Sequence, residues 1–571
     1  MSLTGAFQIG RTGLTAAQLG TQVTGNNLSN LATPGYSRQS ILFAPARDQR
    51  FGTSLYGRGV DVLGVRRNVD TALQQRLWGS ISSEQGANES LRQLSNLEST
   101  VANLNGDNVA SQLSAFFTSW QQLADNPNDP TRRGTVVAQG SAIATYLQST
   151  RNQLTDSTTQ LDRELGVNVN RANDLLGQIA DLNTAIVVSE GGQGTANDLR
   201  DRRDQLVTEL SQYVNVTTVE QTSGVVDVLV GSTPIVLNGA SRGLELKPIT
   251  NPDGTQGVQV QTINVPEKIN ITSGKIGAQL SARGTLVNDT IKNLDAITTQ
   301  LIFQLNKIYS SSYSRTSQSS YTGTVPIAAS DRTLAFNDPN NTSLANLPFK
   351  VGTGSFVISV ASGNGARQNV QIDITSTTTT QDVVNQINAR VPGVSASYDP
   401  AGNLQIKAAS SALNVSFSND TSGVLAVLGI NTFFKGTTAS DISIRSELTG
   451  NPNLLNTGRV DNAGNFDDNA SARLIVDLRD TKLNALGGSS ILSYWDNSVQ
   501  AVGVASSAAK TNADATKTVR ESLDAQRTAL SGVSADEEAI NLVNYQRQYE
   551  ASAKFISTVN DLTKTLLGLV G

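Results

Sequence analysis

The chain has 571 residues, too many for a single hydrophobic core, so several domains are expected. Only 16% of the residues are charged, 48 acidic against 43 basic for a net charge of −5, and no basic stripe runs along the sequence, which argues against a nucleic acid as partner. With no cysteine and no histidine, disulfides, thiolate chemistry and every Ser–His or Cys–His nucleophile are excluded; carboxylate-only catalysis stays open, but no paired acids point to it, and no cofactor or metal site is expected.

The first element spans Leu3 to Leu31, without a proline and with one charge, Arg11. A seven-residue repeat puts Phe7, Leu14, Thr21 and Leu28 on one line and Gly10, Ala17, Thr24 and Leu31 on the next. That spacing is the seam of a helix packed on another helix. The strip Ala6, Gly13 and Gly20 beside it lets a neighbouring backbone come close. Gly10, Gly13, Gly20 and Gly25 cost roughly 0.8–1 kcal/mol each against Ala in a helix interior, about 3–4 kcal/mol together, and Thr12, Thr15, Thr21, Val23 and Thr24 add β-branched penalties. The helix is therefore expected to be mobile in a free monomer and to order when partners cover it. An ordinary core helix is the competing reading. The segment lacks the basic and continuous apolar regions of a secretion signal, and no apolar run reaches the ~18 residues of a membrane span, so neither a cleavable leader nor membrane insertion is expected.

Thr33-Pro34-Gly35-Tyr36 ends the helix, since proline moves its predecessor out of the α region and Gly35 permits a tight turn. From Ser37 to Arg67 short apolar runs alternate with arginines at 38, 47, 50, 58, 66 and 67. This predicts an extended connector with hairpin character, either solvated or pairing with acidic neighbours in an assembly. Helices follow over Val69–Leu104, broken at Gly106-Asp107, and over Val109–Leu123, whose Leu113, Phe116, Phe117 and Trp120 need a core. After the turn Asn126–Pro130 a long helix carries Leu154, Leu161, Leu175 and Leu182 in register with Leu165, Ala172, Ile179 and Ile186. Gly191-Gly192-Gln193-Gly194 ends it and is not a phosphate loop, because no strand precedes it and no Gly-Lys-Ser/Thr follows. The mixed charges of Asp198–Leu206, within a helix over Asn197–Tyr213, read as a salt-bridged surface.

Val225–Val230 and Ile235–Leu237 read as a hairpin, and Ile276–Tyr309 as one further helix. From about Ser310 to Ile444 the chain is rich in Ser, Thr, Gly and Asn, with strands such as Phe356–Val360 and Val370–Ile374 and a helix over Thr380–Ala389. Asp461, Asp467 and Asp468 with Asn462, Asn465 and Asn469 fail the calcium-loop spacing and read as a capped turn. A long helix over Ser493–Leu530 stops at Gly532. Ser534 and Glu537 then form a capping box, with Asp536, Glu537 and Glu538 at the positive end of the helix dipole rather than as a catalytic acid cluster. The last helix repeats the heptad, Leu542, Tyr549, Ile556 and Thr563 on one line and Tyr545, Ser552, Val559 and Leu566 on the other.

Together these features predict a multidomain α+β chain whose terminal helices pair as a coiled coil, with everything else an insertion on that stem. The expected division is residues 1–36 with 532–571 as the terminal coiled coil, 37–310 with 445–531 as a helical middle domain carrying a β-hairpin, and 311–444 as an inserted outer β-rich domain.

The run Asn26-Asn27-Leu28-Ser29-Asn30-Leu31-Ala32-Thr33-Pro34-Gly35-Tyr36-Ser37-Arg38 resembles the signature of the axial proteins of the bacterial flagellum, the rod, hook and hook-associated proteins. The far terminus resembles the same family through Ser534–Glu538, Asn541-Leu542, Tyr545-Gln546, Tyr549, Ala551, Ala553-Lys554 and Ile556, with Ala535 where Val is usual. The Tyr36-Ser37-Arg38 ending and the Asp198–Leu206 words are most similar to the hook-associated branch, and Asp382–Asn388, Val394–Tyr398 and Leu404–Ile406 resemble a small repeat of flagellins. The resemblance implies a structural subunit at the hook–filament junction, exported unfolded to the outside of the cell without a cleaved leader. It implies a ring of like subunits as self partner, hook protein beneath, a second junction protein above, and a dedicated export chaperone on the C-terminal helix. The expected assembly surface is Phe7, Gly10, Leu14, Ala17, Asn26, Asn27, Leu28, Leu31, Pro34, Gly35 and Tyr36 with Leu542, Tyr545, Tyr549, Ile556, Val559 and Leu566. A hook or rod subunit, a secreted adhesin and a wall-acting enzyme on an axial scaffold are the alternatives.

Overall fold

The computed structural model describes residues 3–51, 54–102, 108–191, 194–252, 254–313, 318–362, 367–460 and 466–570. The readings at Leu104, Gly106, Asp107, Gly192, Gln193, Asp461, Asn462 and Asn465 lie outside the described residues.

The helices are α1 (Leu3–Ser29), α2 (Thr71–Val101), α3 (Val109–Asp125), α4 (Pro130–Glu190), α5 (Asn197–Leu210), α6 (Gly274–Ser281), α7 (Asn288–Ser310), α8 (Thr380–Arg390), α9 (Val424–Val427), α10 (Ser446–Gly450), α11 (Ala470–Asp477), α12 (Ile491–Ser531) and α13 (Ala535–Val570). The strands of the first half are β1 (Gln39–Pro45), β2 (Gln49–Phe51), β3 (Ser54–Tyr56), β4 (Val60–Arg67), β5 (Val216–Glu220), β6 (Val226–Val230), β7 (Thr233–Leu237), β8 (Ala240–Ser241), β9 (Leu244–Thr250) and β10 (Gln256–Thr262). The second half adds β11 (Ser320–Pro326), β12 (Gly354–Ser362), β13 (Arg367–Ile374), β14 (Val394–Tyr398), β15 (Asn403–Ala408) and β16 (Leu413–Ser418). No helix among the described residues is long and apolar enough to cross a membrane.

The chain divides into two compact units, one of Met1–Gln93, Leu161–Gly284 and Ser507–Gly571, the other of Leu94–Gln160 and Thr285–Ser506.

In the first unit the connector folds as the antiparallel pairs β1–β4 and β2–β3, with a bulge between Leu42 and Phe43. The antiparallel sheet β5-β6-β7-β8 and the hairpin β9–β10 cover the C-terminal half of α4. There the heptad residues Leu165, Ala172, Leu175 and Ile179 are buried with Val207 and Leu210 of α5, Val228 of β6, Ile235 of β7 and Trp78 of α2. A sheet with one face on helices and one in water buries alternate residues, as β5 does. Glu84 of α2 and Arg520 of α12 form an ion pair at 2.7 Å.

In the second unit α3 starts from a reciprocal cap, Asn108 accepting from the Ser111 N–H and Ser111 accepting from the Asn108 N–H. Its apolar face meets an aromatic cluster in which Phe433 lies 5.9 Å from Phe116, 5.6 Å from Trp120 and 5.6 Å from Tyr309, ring centre to ring centre. The β-rich segment has a buried cluster that includes Phe356, Ile358, Ile372, Val383, Ile387, Leu404, Ile406 and Phe417. Its strands form two three-stranded antiparallel sheets, β13-β12-β16 and β11-β15-β14, with α8 capped by Thr379 and Asp382.

Two expectations need correction. The helix expected over Ile276–Tyr309 is interrupted, since Ala282–Val287 forms a π-helical stretch between α6 and α7. The stretch spans little more than one turn inside a longer helix, too short to leave a separate signal in the apolar spacing. The charges on α5 are only partly a salt-bridged surface: Arg202 is exposed and Arg200 pairs with Glu190 and Glu220, but Asp201 and Arg203 are buried. The carboxylate of Asp201 is met by Arg67, on β4. A pattern confined to one helix cannot show a partner so distant in sequence.

Candidate functional site

The terminal helices lie antiparallel. The register can be read from what a Cβ on each α1 glycine would touch: Ile556 Cγ1 at 2.6 Å from Gly10, Ser552 Oγ at 2.9 Å from Gly13 and a Tyr545 ring carbon at 2.5 Å from Gly20. Hydrogen then stands where a methyl group cannot, and the larger side chains of α13 sit against the α1 backbone. The buried line of α1 is Gly10, Ala17, Gly20, Thr24 and Asn27. The seam against α13 thus combines the expected Gly10–Ala17–Thr24 line with the small-residue strip, not with the Phe7–Leu14–Thr21–Leu28 line. Leu14 and Leu28 are half-buried, and Phe7 and Leu31 are exposed.

On α13 the expected heptad faces α1: Leu542, Tyr545, Ser552, Ile556 and Thr563 are half-buried and Val559 is buried, whereas Tyr549 is exposed. Leu566 is exposed because α1 runs out before it; the same register brings Leu3 level with the turn at Leu562. Ile540, Leu562 and Leu569 are exposed off the seam, and Phe555, also exposed, lies at its edge, its Cδ1 3.1 Å from a Cβ placed on Gly10.

At the other end of the pair the signature residues form one polar knot. Asn27, 1% exposed, uses its whole amide. Its Nδ2 donates to the Gln39 carbonyl at 2.9 Å and to Glu538 Oε2 at 3.0 Å. Its Oδ1 accepts from the Tyr36 hydroxyl at 2.8 Å and from the Gln39 N–H at 3.0 Å. Asn26 Nδ2 donates to the same Tyr36 hydroxyl at 3.2 Å. Gly35 makes the reversal that brings Tyr36 back over the helix, at φ +80°, and Pro34 beside it is exposed.

Arg38 bridges the termini. Its Nε donates to Glu538 Oε1 at 2.8 Å and its Nη1 to Glu537 Oε2 at 2.7 Å, while its N–H donates to the Ser531 carbonyl at 2.9 Å. The acids at the start of α13 are therefore held by an arginine as well as by the helix dipole. Ser534 Oγ accepts from the Glu537 N–H at 3.5 Å. The next layer fastens the knot to α5: Ser37 N–H donates to Asp201 Oδ2 at 3.1 Å, and Arg67 Nη1 donates to Asp201 Oδ1 at 2.8 Å and Asp204 Oδ2 at 2.7 Å. Two of the connector arginines, 38 and 67, thus pair within the chain rather than across an assembly.

Burial pushes the Tyr36 phenol up to about 12, helped by the negative charges of Asp201, Asp198 and Glu538. Burial also raises the Asp201 carboxyl against the pull of Arg67 and Ser37, and it raises the Tyr545 phenol, with Glu538 adding to the effect. No cluster of metal-binding side chains occurs among the described residues. The arrangement is a clasp between chain ends, with an apolar stripe left outside it. Glu538, Gln39 and Asp201 are the members that sequence reasoning missed. The usable signal was Arg38, the one base of the signature, facing three acids at the opposite terminus.

Residues 94–320 match the family described as the flagellar hook-associated protein FlgK helical domain. Residues 526–569 match the flagellar basal body rod FlgEFG protein C-terminal family, and residues 346–410 the flagellin hook IN motif. The chain is 26% identical to flagellar hook-associated protein 1 of Salmonella typhimurium and 25% identical to that of Escherichia coli, covering 98% of both chains in each case. It is 22% identical to flagellar hook-associated protein 1 of Bacillus subtilis over 99% of this chain and 98% of that one. A solved structure of the flagellar hook junction protein FlgK from Burkholderia pseudomallei is 15% identical, with a TM-score of 0.49 over 80% of this chain and 100% of that chain.

Proposed function

We propose a mechanism for this chain, which belongs to the flagellar hook-associated protein 1 family and is a structural, non-enzymatic component of the extracellular flagellum at the hook–filament junction. The observation that carries the role is likeness along 98–99% of the chain. The mechanism is polymerisation. The clasped termini of each subunit build the inner wall of a ring, and the outward stripe Ile540, Leu562 and Leu569 packs on neighbouring copies together with Phe7, Leu14, Leu28, Leu31, Tyr549, Phe555 and Leu566. An exposed apolar stripe of this kind on a polar chain supports that reading.

The helical middle, 37–310 with 445–531, would form the next shell, and 311–444 would face outward. Hook protein is the neighbour beneath and a second junction protein the neighbour above. The unpaired end of α13 is the segment offered to an export chaperone. The match of 94–320 to the hook-associated helical domain favours this reading over a hook or rod subunit. Electron microscopy of cells lacking the protein tests it: hooks without attached filaments are expected, restored by the full chain. Normal filaments on the deleted strain would overturn the assignment.

A further inference from the structure

The first unit holds a cavity of about 520 Å³ beside the clasp, which shares Arg67 and Asp204 with it. It opens between the start of α2 and β5, the outer strand of its sheet. The Thr218 carbonyl on that edge accepts from Gln75 Nε2 at 3.0 Å instead of from a strand. In an antiparallel ladder a residue turns its N–H and C=O to the same side, so the Thr218 N–H faces the free edge as well. Trp78 and Val226 supply an apolar wall.

The charged lining is four arginines, 66, 67, 200 and 203, against the two carboxylates Asp204 and Glu220. Two more acids stand behind it. Asp201 and Asp204 converge on Arg67, and Glu190 and Glu220 on Arg200. Arg203, 1% exposed, is left poorly matched. Its Nη1 donates to the Gly224 carbonyl at 2.7 Å and Asn183 Oδ1 at 3.3 Å, but its Nε makes no hydrogen bond among the described residues. Asp204, already claimed by Arg67, stays 3.7 Å from that Nε. Arg66 is exposed and makes no ion pair among the described residues. A buried guanidinium with an unmade N–H is costly until an acceptor reaches it.

We propose that this cleft receives an extended acidic peptide segment of an adjoining subunit, its main chain added to the free edge of β5 and a carboxylate set on Arg203. Only the source of the segment rests on the assembly reading above. The purified full chain is titrated into a fluorescein-labelled, end-blocked Val-Glu-Val-Glu-Val peptide, read by anisotropy. The acidic probe binds at least tenfold more tightly than its Gln counterpart. Arg66→Gln weakens it severalfold and Arg203→Gln abolishes binding. Should Arg203→Gln fail to fold, Thr218→Pro gives the same loss, since that N–H makes no ladder bond to β6. Equal binding of the two peptides overturns the proposal, and so does complete displacement by inorganic phosphate, which would mark a small-oxyanion site.

The source is tested in cells with Val219→Cys, a lone thiol in a chain without cysteine, on a side chain 53% exposed in β5. Alkylation is rapid in the free chain and suppressed in isolated hook–filament junctions. Equal alkylation in both overturns occupancy by a neighbour. Incorporation of the same variant, scored by microscopy, keeps that failure separate from failure of the junction assignment.

Discussion

Asn27 shows why a buried polar side chain can matter more than any apolar one in the same helix. Its amide satisfies both main-chain groups of Gln39, the Tyr36 hydroxyl and Glu538 at once. Replacing it by Leu strands those partners, and each buried group left without a bond costs about 1–3 kcal/mol. Asn27→Leu is therefore expected to destabilise the first unit by roughly 3–5 kcal/mol, measured by urea unfolding. Tyr36 gives a pH signature of the same knot. Its folded value near 12 lies above the ordinary 10.0, so the fold favours the neutral phenol. That contribution is complete below pH 10 and is lost as pH rises from 10 to 12. The urea midpoint should fall over that window, and the fall should be smaller in Tyr36→Phe. A midpoint drop of the same size in both would deny Tyr36 its place in the clasp. None of this was visible in the hydrophobic pattern. The Asn-Asn and Tyr-Ser-Arg words stood out only as a resemblance, because periodicity records what is apolar and says nothing of a buried amide.

Heptads on both terminal helices were readable as a pair before any coordinates, and so was the long bundle helix, whose Leu154, Leu161, Leu165, Ala172, Leu175, Ile179 and Ile186 are buried and Leu182 half-buried. The sequence did not say which line of α1 meets α13. Both lines and the small-residue strip beside them were candidates. The pair sets glycine against bulk, which leaves the larger residues of α1 outside. Two substitutions on one helix separate propensity from packing. Gly25→Ala meets no atom within 4 Å and should stabilise α1 by about 0.8–1 kcal/mol through helix propensity alone. Gly20→Ala gains the same but drives a methyl to 2.5 Å from the Tyr545 ring, and overpacking costs about 1–3 kcal/mol. Opposite changes in amide hydrogen exchange along α1 are expected. A Gly20→Ala helix more protected than the wild type would mean that α1 and α13 are looser than their register implies. The outward stripe makes a complementary case. Leu562→Asp with Leu569→Asp changes two exposed residues off the seam, so the melting temperature should be unchanged while incorporation into junctions is lost. Ile556→Asp, beside Gly10, should loosen the helix pair itself.

Composition alone pointed to a polar, β-rich segment, and a buried apolar cluster runs within it from Ile327 to Ile430. Composition is a blunt guide to where such a segment stops, because a few aromatic residues can belong to the neighbouring core. Phe433 and Phe434 follow the insertion in sequence but pack on Phe116, with Phe433 also against Trp120 and Tyr309. Asn431 is tied the same way, its Nδ2 donating to the Ser310 carbonyl at 3.0 Å. Two excisions therefore have different outcomes. Removing Gln318–Leu428 and closing the gap with a short Gly/Ser linker leaves that aromatic cluster whole, and the shortened chain should unfold cooperatively near the wild-type temperature of the helical part. Removing residues 311–444 takes both phenylalanines away, each worth about 3–5 kcal/mol as a lost large side chain, and exposes Trp120 and Tyr309. That second protein should be unstable or insoluble, and adding Phe433 and Phe434 back on a linker should recover part of the loss. If both excisions fold equally well, the aromatic cluster belongs to the insertion, and the helical part must hold α3 by other contacts.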